Sequence, residues 1–276
     1  MSFVEMLGAA EQRNKSLLCV GLDPMPERFA PGLSQDEAGV LAFCRSIVDA
    51  TQDLVLAFKP QIAHFAAAGA LGALQDIIAY IHESTDLPVI LDAKRGDIGS
   101  TAQRYADEAF SVYQADAVTV NPYLGTDSLE PFLAHSDKGV ILLCRTSNPG
   151  GEELQNLELA SGERLYQRVA KLAATRWNAA GNVMLVAGAT NPEELADIRS
   201  LVGEMTLLIP GVGAQGGDIA AMMRSAKGGG VVINSSRAVL YASSDDDFAA
   251  AARQVAMATK DEINQELFAI ANDLRA

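Results

Sequence analysis

Pro88-Val89-Ile90-Leu91-Asp92-Ala93-Lys94-Arg95-Gly96-Asp97 opens as a proline and three aliphatic residues and turns abruptly into charge. The apolar part is too short for a helix of ordinary length, and near-continuous Val, Ile and Leu suits a parallel strand buried on both faces. The same design recurs at Ser16 to Val20, Leu54 to Phe58, Ala117 to Val120, Gly139 to Cys144, Val183 to Ala187, Thr206 to Ile209 and Gly230 to Ile233. With Pro88 to Leu91 these make eight expected strands.

Helix-like stretches separate them. Leu71 to His82 has apolar residues at helical spacing, and Pro192 to Val202 opens with Asn191 as an N-cap and Pro192 in the first turn. Glu152 to Ala180 is longer, with room for a loop before its helix, and the Ala-rich stretch Ala66 to Ala73 reads as a tightly packed helix start. Asp247 to Leu274 reads as a closing amphipathic helix with Phe248, Ala252, Val255 and Ile263 on or near one face. Strands alternating with helices indicate an α/β fold, a (β/α)8 TIM barrel. A doubly wound open sheet is the alternative. No Pro/Ser-rich linker or low-complexity block interrupts the pattern, so a single barrel domain over residues 1–276 is expected.

The bulk chemistry narrows the partners. A formal net charge of −14 supplies no basic field for nucleic acid, although a local pocket can still bind one small anion. No apolar stretch is long enough to span a bilayer, and the N-terminus, with Glu5, Glu11, Arg13 and Lys15, has no compact signal-peptide core. Cys19, Cys44 and Cys144 are widely spaced, and two of them lie in apolar runs, as small core residues do. A soluble protein of a reducing cytoplasm is expected. His64, His82 and His135 show no metal-ligand spacing, and Trp177 reads as packing.

In a barrel, chemistry gathers at the C-terminal ends of the strands. Those ends carry Asp23, Lys59, the Asp92–Asp97 segment, Asn121-Pro122-Tyr123, Arg145-Thr146-Ser147-Asn148, Gly188-Ala189-Thr190, Pro210-Gly211-Val212-Gly213 and Asn234-Ser235-Ser236-Arg237. On a regular strand Asp92 and Lys94 share one face about 6.6 Å apart at Cα, with Gly96 freeing the turn that aims Asp97. Alone, an Asp-x-Lys pair is more often a structural salt bridge. Lys59 and Asp23 at neighbouring strand ends shift the balance to a site. A lysine among carboxylates has its charged form favoured, so Lys94 is expected to act as an ammonium proton donor. The same ammonium groups occupy carboxylate oxygens that would otherwise hold Mg²⁺, so no metal and no cofactor are expected.

Gly211-Val212-Gly213-Ala214-Gln215-Gly216 spells G-x-G-x-x-G, but after the seventh strand, and the region some twenty residues on lacks the acid a dinucleotide site needs. The barrel rule fits better: loops after strands seven and eight hold phosphate, with Gln215 and Arg237 as side-chain donors.

Leu91-Asp92-Ala93-Lys94-Arg95-Gly96-Asp97-Ile98-Gly99-Ser100-Thr101 resembles the D-x-K-x-x-D-I signature of the orotidine 5'-phosphate decarboxylase family. Ile209-Pro210-Gly211-Val212-Gly213-Ala214-Gln215-Gly216-Gly217 resembles its phosphate-gripping loop. Val120-Asn121-Pro122-Tyr123-Leu124-Gly125 and Thr146-Ser147-Asn148-Pro149-Gly150 are similar to its bacterial type 2 subgroup. The resemblance implies a metal-free conversion of orotidine 5'-phosphate to uridine monophosphate and carbon dioxide in pyrimidine biosynthesis. It implies an array of Lys59, Asp92, Lys94 and Asp97, with Lys94 protonating C6. It further implies Asp23 on the ribose, Ser147 on the pyrimidine, and Pro210, Gln215 and Arg237 at the phosphate. A homodimer follows, with Asp97 and Thr101 serving the partner's site. Two rivals remain: a Mg²⁺-dependent sugar-phosphate decarboxylase, disfavoured by Lys59 where that enzyme has an acid, and a non-catalytic phosphate-binding barrel.

Overall fold

All eight strands form, in a computed structural model that describes residues 1–188, 191–211 and 218–273. They are β1 (Leu18–Leu22), β2 (Ala57–Pro60), β3 (Ile90–Arg95), β4 (Ala117–Val120), β5 (Gly139–Arg145), β6 (Val183–Ala187), β7 (Leu207–Pro210) and β8 (Val231–Ser235). Every pairing is parallel, in the order β2-β1-β8-β7-β6-β5-β4-β3. The two ends of the sheet meet through the single parallel bridges Phe58↔Val89 and Gln61↔Asp92, which bring it round into a nearly closed barrel. The open-sheet alternative is thereby set aside.

Several strands start later than their apolar runs and end among polar residues. Leu17, Leu54, Val55 and Leu56 are buried but precede the strands. Lys59, Asp92, Lys94 and Asn234 lie within strands, so these polar and charged groups stand on the strands themselves and not on loops beyond them.

The helices are α1 (Phe3–Asn14), α2 (Glu37–Thr51), α3 (Ile62–Ala67), α4 (Leu71–Ser84), α5 (Gly99–Asp107), α6 (Thr126–Leu133), α7 (Gly151–Gln155), α8 (Leu165–Leu172), α9 (Pro192–Val202), α10 (Ile219–Ala226), α11 (Arg237–Leu240) and α12 (Phe248–Asp273). Side-chain caps set several starts: Ser2 and Glu5 form a reciprocal capping box on α1, and the Asn191 side chain accepts from the Glu193 and Glu194 amides at α9. Along α4, Ala73, Leu74, Ile77, Ile78 and Ile81 make one buried stripe, and α12 buries Ala252, Ala256 and Ile263 completely. Glu152 to Ala180 resolves into the end of α7, a loop and α8 with its π-helical extension to Trp177.

One expectation is corrected. Ala66 to Ala73 is not a helix start: α3 ends at Ala67, Gly69 turns with φ +66°, and α4 begins at Leu71. Glycine reaches that left-handed conformation without the cost a β-carbon would impose, and this outweighs the helix preference of the flanking alanines.

Phe29, Phe43, Tyr241 and Phe248 stack with Phe43 at the centre, at centroid distances of 4.5, 5.8 and 5.3 Å. This cluster joins α2, α12 and the segment after β8, and holds Tyr241 beneath the loop that leaves β1.

Candidate active site

Register brings the second strand end to the first: Gly21 of β1 pairs with Lys59 of β2, and Gln61 bridges to Asp92 of β3. Lys59 and Asp92 are both buried, and the Lys59 Nζ donates to Asp92 Oδ2 at 2.7 Å. From the other side Lys94 Nζ donates to Asp92 Oδ1 at 2.6 Å, with its side chain 45% exposed towards solvent. One carboxylate therefore bridges a buried and a half-exposed ammonium.

Burial opposes the charge on both buried partners, and the partners overcome it. Lys59 and Lys94 together hold the Asp92 carboxyl well below the usual carboxylate range. Asp92 and Asp23 raise Lys59 above its usual range despite desolvation. Cys19, on the β1 face below, has its thiol pushed up to about 12, by burial first and by the two aspartates, with Lys59 opposing; it is an inert core residue. Cys44 and Cys144 are likewise buried and unpaired.

The geometry of the Asp92–Lys94 pair differs from that of a regular strand. Leu91 pairs with Val118 and Arg95 with Val120, so Asp92, Ala93 and Lys94 stand opposite Thr119 alone. Lys94 takes φ +47°, a left-handed conformation rare for a residue with a β-carbon. The pairing thus rests on a bulge and not on the two-residue period of the strand. Gly96 does not supply the left-handed turn: that falls on Lys94 and on Gly99, at φ +53°. Gly96 instead permits close approach, since a β-carbon there would lie 3.3 Å from the Asn121 carbonyl oxygen.

Thr119, on β4, was given no role by sequence reasoning. Its buried hydroxyl accepts from the Ala93 and Lys94 amides and donates to Asp92 Oδ1, each at 2.9 Å. The available signal was a hydroxyl in the apolar run Ala117 to Val120, because a buried polar group implies a partner.

Asp97 is not drawn into this array within the chain. Its carboxylate accepts from its own neighbour, the Ile98 amide, at 2.8 Å, and among the described residues it pairs with no lysine. Thr101 sits exposed in the first turn of α5, close to the exposed Ile98.

Asp23 is half-buried at the end of β1, and its Oδ1 is enclosed without a hydrogen-bond partner among the described residues. Its backbone is fixed by Tyr241, whose hydroxyl donates to the Asp23 carbonyl at 3.0 Å and accepts from the Met25 amide at 2.6 Å. Ser147 follows β5 and is half-buried. Beside it, Arg145 and Glu194, both buried, approach to 2.7 Å, and Arg145 Nη1 donates to the Thr146 carbonyl at 2.6 Å. Gln155 accepts from the Thr146 amide at 2.9 Å. A β-carbon on Gly188 would lie 3.0 Å from the Ser147 nitrogen, so only glycine lets β6 approach this loop without a shift.

Pro210 closes β7, Gly211 follows with φ +94°, and Arg237 stands exposed at the start of α11. Gln215 and most of its glycine-rich segment lie outside the described residues. His82 pairs with Asp116 at 2.9 Å, away from the array, and Trp177 is buried with Nε1 donating to Thr126 Oγ1 at 3.1 Å. No group of three or more His, Cys, Asp or Glu poised to hold a metal occurs among the described residues.

A parallel (β/α)8 barrel with ionised side chains bridged across the C-terminal ends of its second and third strands, beside a carboxylate at the end of the first, is the architecture of a barrel enzyme. The chain belongs to the orotidine 5'-phosphate decarboxylase / HUMPS family, whose sequence profile matches residues 16–255. It is 62% identical over 269 residues to an orotidine 5'-phosphate decarboxylase of Ralstonia pickettii, covering 96% of this chain and 99% of that one. It is 60% identical to the corresponding protein of Dechloromonas aromatica, at 96% and 99% coverage. Among solved structures, the Leishmania donovani OMP decarboxylase superposes with TM-score 0.83 at 38% identity, over 97% of this chain and 99% of that one. A Toxoplasma gondii protein described as a putative orotidine-monophosphate-decarboxylase gives TM-score 0.88 at 34% identity, over 99% and 98%.

Proposed function

We propose that this enzyme decarboxylates orotidine 5'-phosphate to uridine monophosphate and carbon dioxide in pyrimidine biosynthesis, without a metal ion, and that Lys94 is the proton donor. The observation that carries the reading is the engagement of both Asp92 oxygens by lysine ammonium groups, one buried and one reaching towards solvent.

The chemical difficulty is that the C6–carboxylate bond breaks with its electron pair left on C6, where no ring position delocalises it. An ammonium fixed beside that carbon stabilises the developing charge and then delivers its proton, leaving a neutral amine that solvent reprotonates. Lys94 is the half-exposed member of the array, as a group that must meet substrate has to be. Asp92 holds Lys94 on one oxygen while Lys59 balances the other. With both oxygens engaged by cations, Asp92 is a poor ligand for a divalent ion.

In this reading Asp23 binds the ribose hydroxyls with the Oδ1 that has no partner among the described residues, Ser147 reads the pyrimidine, and Pro210, Gln215 and Arg237 surround the phosphate. Asp97 and Thr101 complete the site of the second subunit in a homodimer, which accounts for a carboxylate that finds no lysine among the described residues of its own chain. The type 2 subgroup and the cytoplasm are where we place the protein, in keeping with its unpaired, buried cysteines.

The deciding experiment follows loss of orotidine monophosphate absorbance with purified enzyme, with and without EDTA. Equal turnover in both supports the reading, and turnover that depends on added Mg²⁺ overturns it.

A further inference from the structure

We infer that the Thr119 hydroxyl is a positioning group for the reaction: it sets the bulge that carries Lys94 and locks the Asp92 carboxylate against it. The inference rests on the function proposed above.

The geometry is unusually complete. A threonine hydroxyl has one proton to give and two lone pairs to offer. All three are used, and all three partners belong to the three residues facing it across the ladder: the Ala93 amide, the Lys94 amide and Asp92 Oδ1, each at 2.9 Å. Nothing is left over for substrate, so Thr119 acts through Asp92 and Lys94 and is not itself catalytic. Its neighbours Val118 and Val120 are buried and apolar, and Thr119 is 1% exposed. A hydroxyl at such a place is costly unless bonded.

The bond to the Lys94 amide also bears on the backbone. Lys94 sits at φ +47°, which a β-carbon disfavours and which persists only where surrounding contacts over-determine it. The hydroxyl supplies two of those contacts from one atom. It also fills the lone pair of Asp92 Oδ1 beside the one that receives Lys94 Nζ at 2.6 Å. Replacing it with a methyl group leaves two amides without their acceptor and frees the Asp92 carboxylate to rotate. The Lys94 ammonium then loses its place while the pockets for ribose and phosphate keep theirs.

The test compares Thr119→Val, which is nearly isosteric, with Thr119→Ser, which keeps the hydroxyl, beside the wild type and Lys94→Ala. Thr119→Val is expected to lose about 100-fold in kcat, the scale of a misplaced reacting group. Its KM for orotidine monophosphate and its affinity for uridine monophosphate should stay within about threefold of wild type. Thr119→Ser should recover kcat to within about tenfold of wild type. The inference is overturned if Thr119→Val keeps wild-type kcat, if both variants lose activity alike, or if KM rises with kcat unchanged. A Thr119→Val protein that does not fold also counts against it, because the hydroxyl would then be serving the core. If the wild type turns over and Lys94→Ala does not, failure at Thr119 touches only this inference. If the wild type releases no carbon dioxide, the proposed function fails and the inference falls with it.

Discussion

Lys59 and Asp92 face each other across the closure between β2 and β3, ammonium to carboxylate at 2.7 Å, both buried. Only bridges join those two strands, so the ion pair stands where the ladder is thinnest. Removing one partner leaves the other charge buried and uncompensated, which costs about 3 kcal/mol or more, whereas removing both does not. Asp92→Asn should therefore be destabilised by roughly that amount in urea unfolding. Adding Lys59→Met should restore part of the loss. An Asp92→Asn protein as stable as wild type would mean that the pair is not holding this seam.

The same pair sets a pH signature. Asp92 is depressed when folded, because its lysines outweigh burial, so its stabilisation is complete above the unfolded value, about 3.9, and is lost as pH falls through the lower folded value. Lys59 is raised when folded, because Asp92 and Asp23 outweigh burial, so its contribution is complete below about 10.4 and is lost as pH rises through the higher folded value. The difference in unfolding free energy between wild type and the Lys59→Met/Asp92→Asn double variant should be level from about pH 5 to about pH 9. A slope inside that window would contradict these assignments.

Sequence reasoning found the barrel because parallel strands buried on both faces write themselves as short apolar runs, and eight of them cannot be hidden. It found Lys59, Asp92 and Lys94 because charge at the end of an apolar run is conspicuous. The bulge was not legible: a two-residue period assumes a regular strand, and the left-handed Lys94 is a response to Thr119 on the next strand. Arg145 and Glu194 meet from β5 and α9, and Tyr241 reaches Asp23 from the far end of the chain. Such partners depend on how the barrel closes, which no local pattern encodes.

Gly188 gives a test of the loop after β5. A β-carbon there would lie 3.0 Å from the Ser147 nitrogen and 3.1 Å from its Cα, both backbone atoms with little freedom to yield. Gly188→Ala should displace Ser147 and lower kcat/KM for orotidine monophosphate by about tenfold, with a stability loss of only about 1 kcal/mol. Unchanged kinetics would remove Ser147 from the substrate site.

Subunit sharing can be read from mixtures. Lys94→Ala and Asp97→Ala homodimers should each be nearly inactive. Co-refolded in equal amounts, half the dimers carry one intact site, Lys94 from one subunit and Asp97 from the other, so about a quarter of wild-type activity should return. No recovery, with dimers present by light scattering, would place Asp97 in its own subunit's site or in none.

The central claim is that the Lys94 ammonium performs the chemistry. Its most direct measurement is single-turnover decarboxylation of orotidine monophosphate by Lys94→Ala, beside its melting curve and its affinity for uridine monophosphate. The expected result is a rate at least about 10³-fold below wild type, the scale of losing a positioned charge together with the proton donor, with fold and product binding retained. A Lys94→Ala enzyme that still turns over within tenfold of wild type would contradict the account.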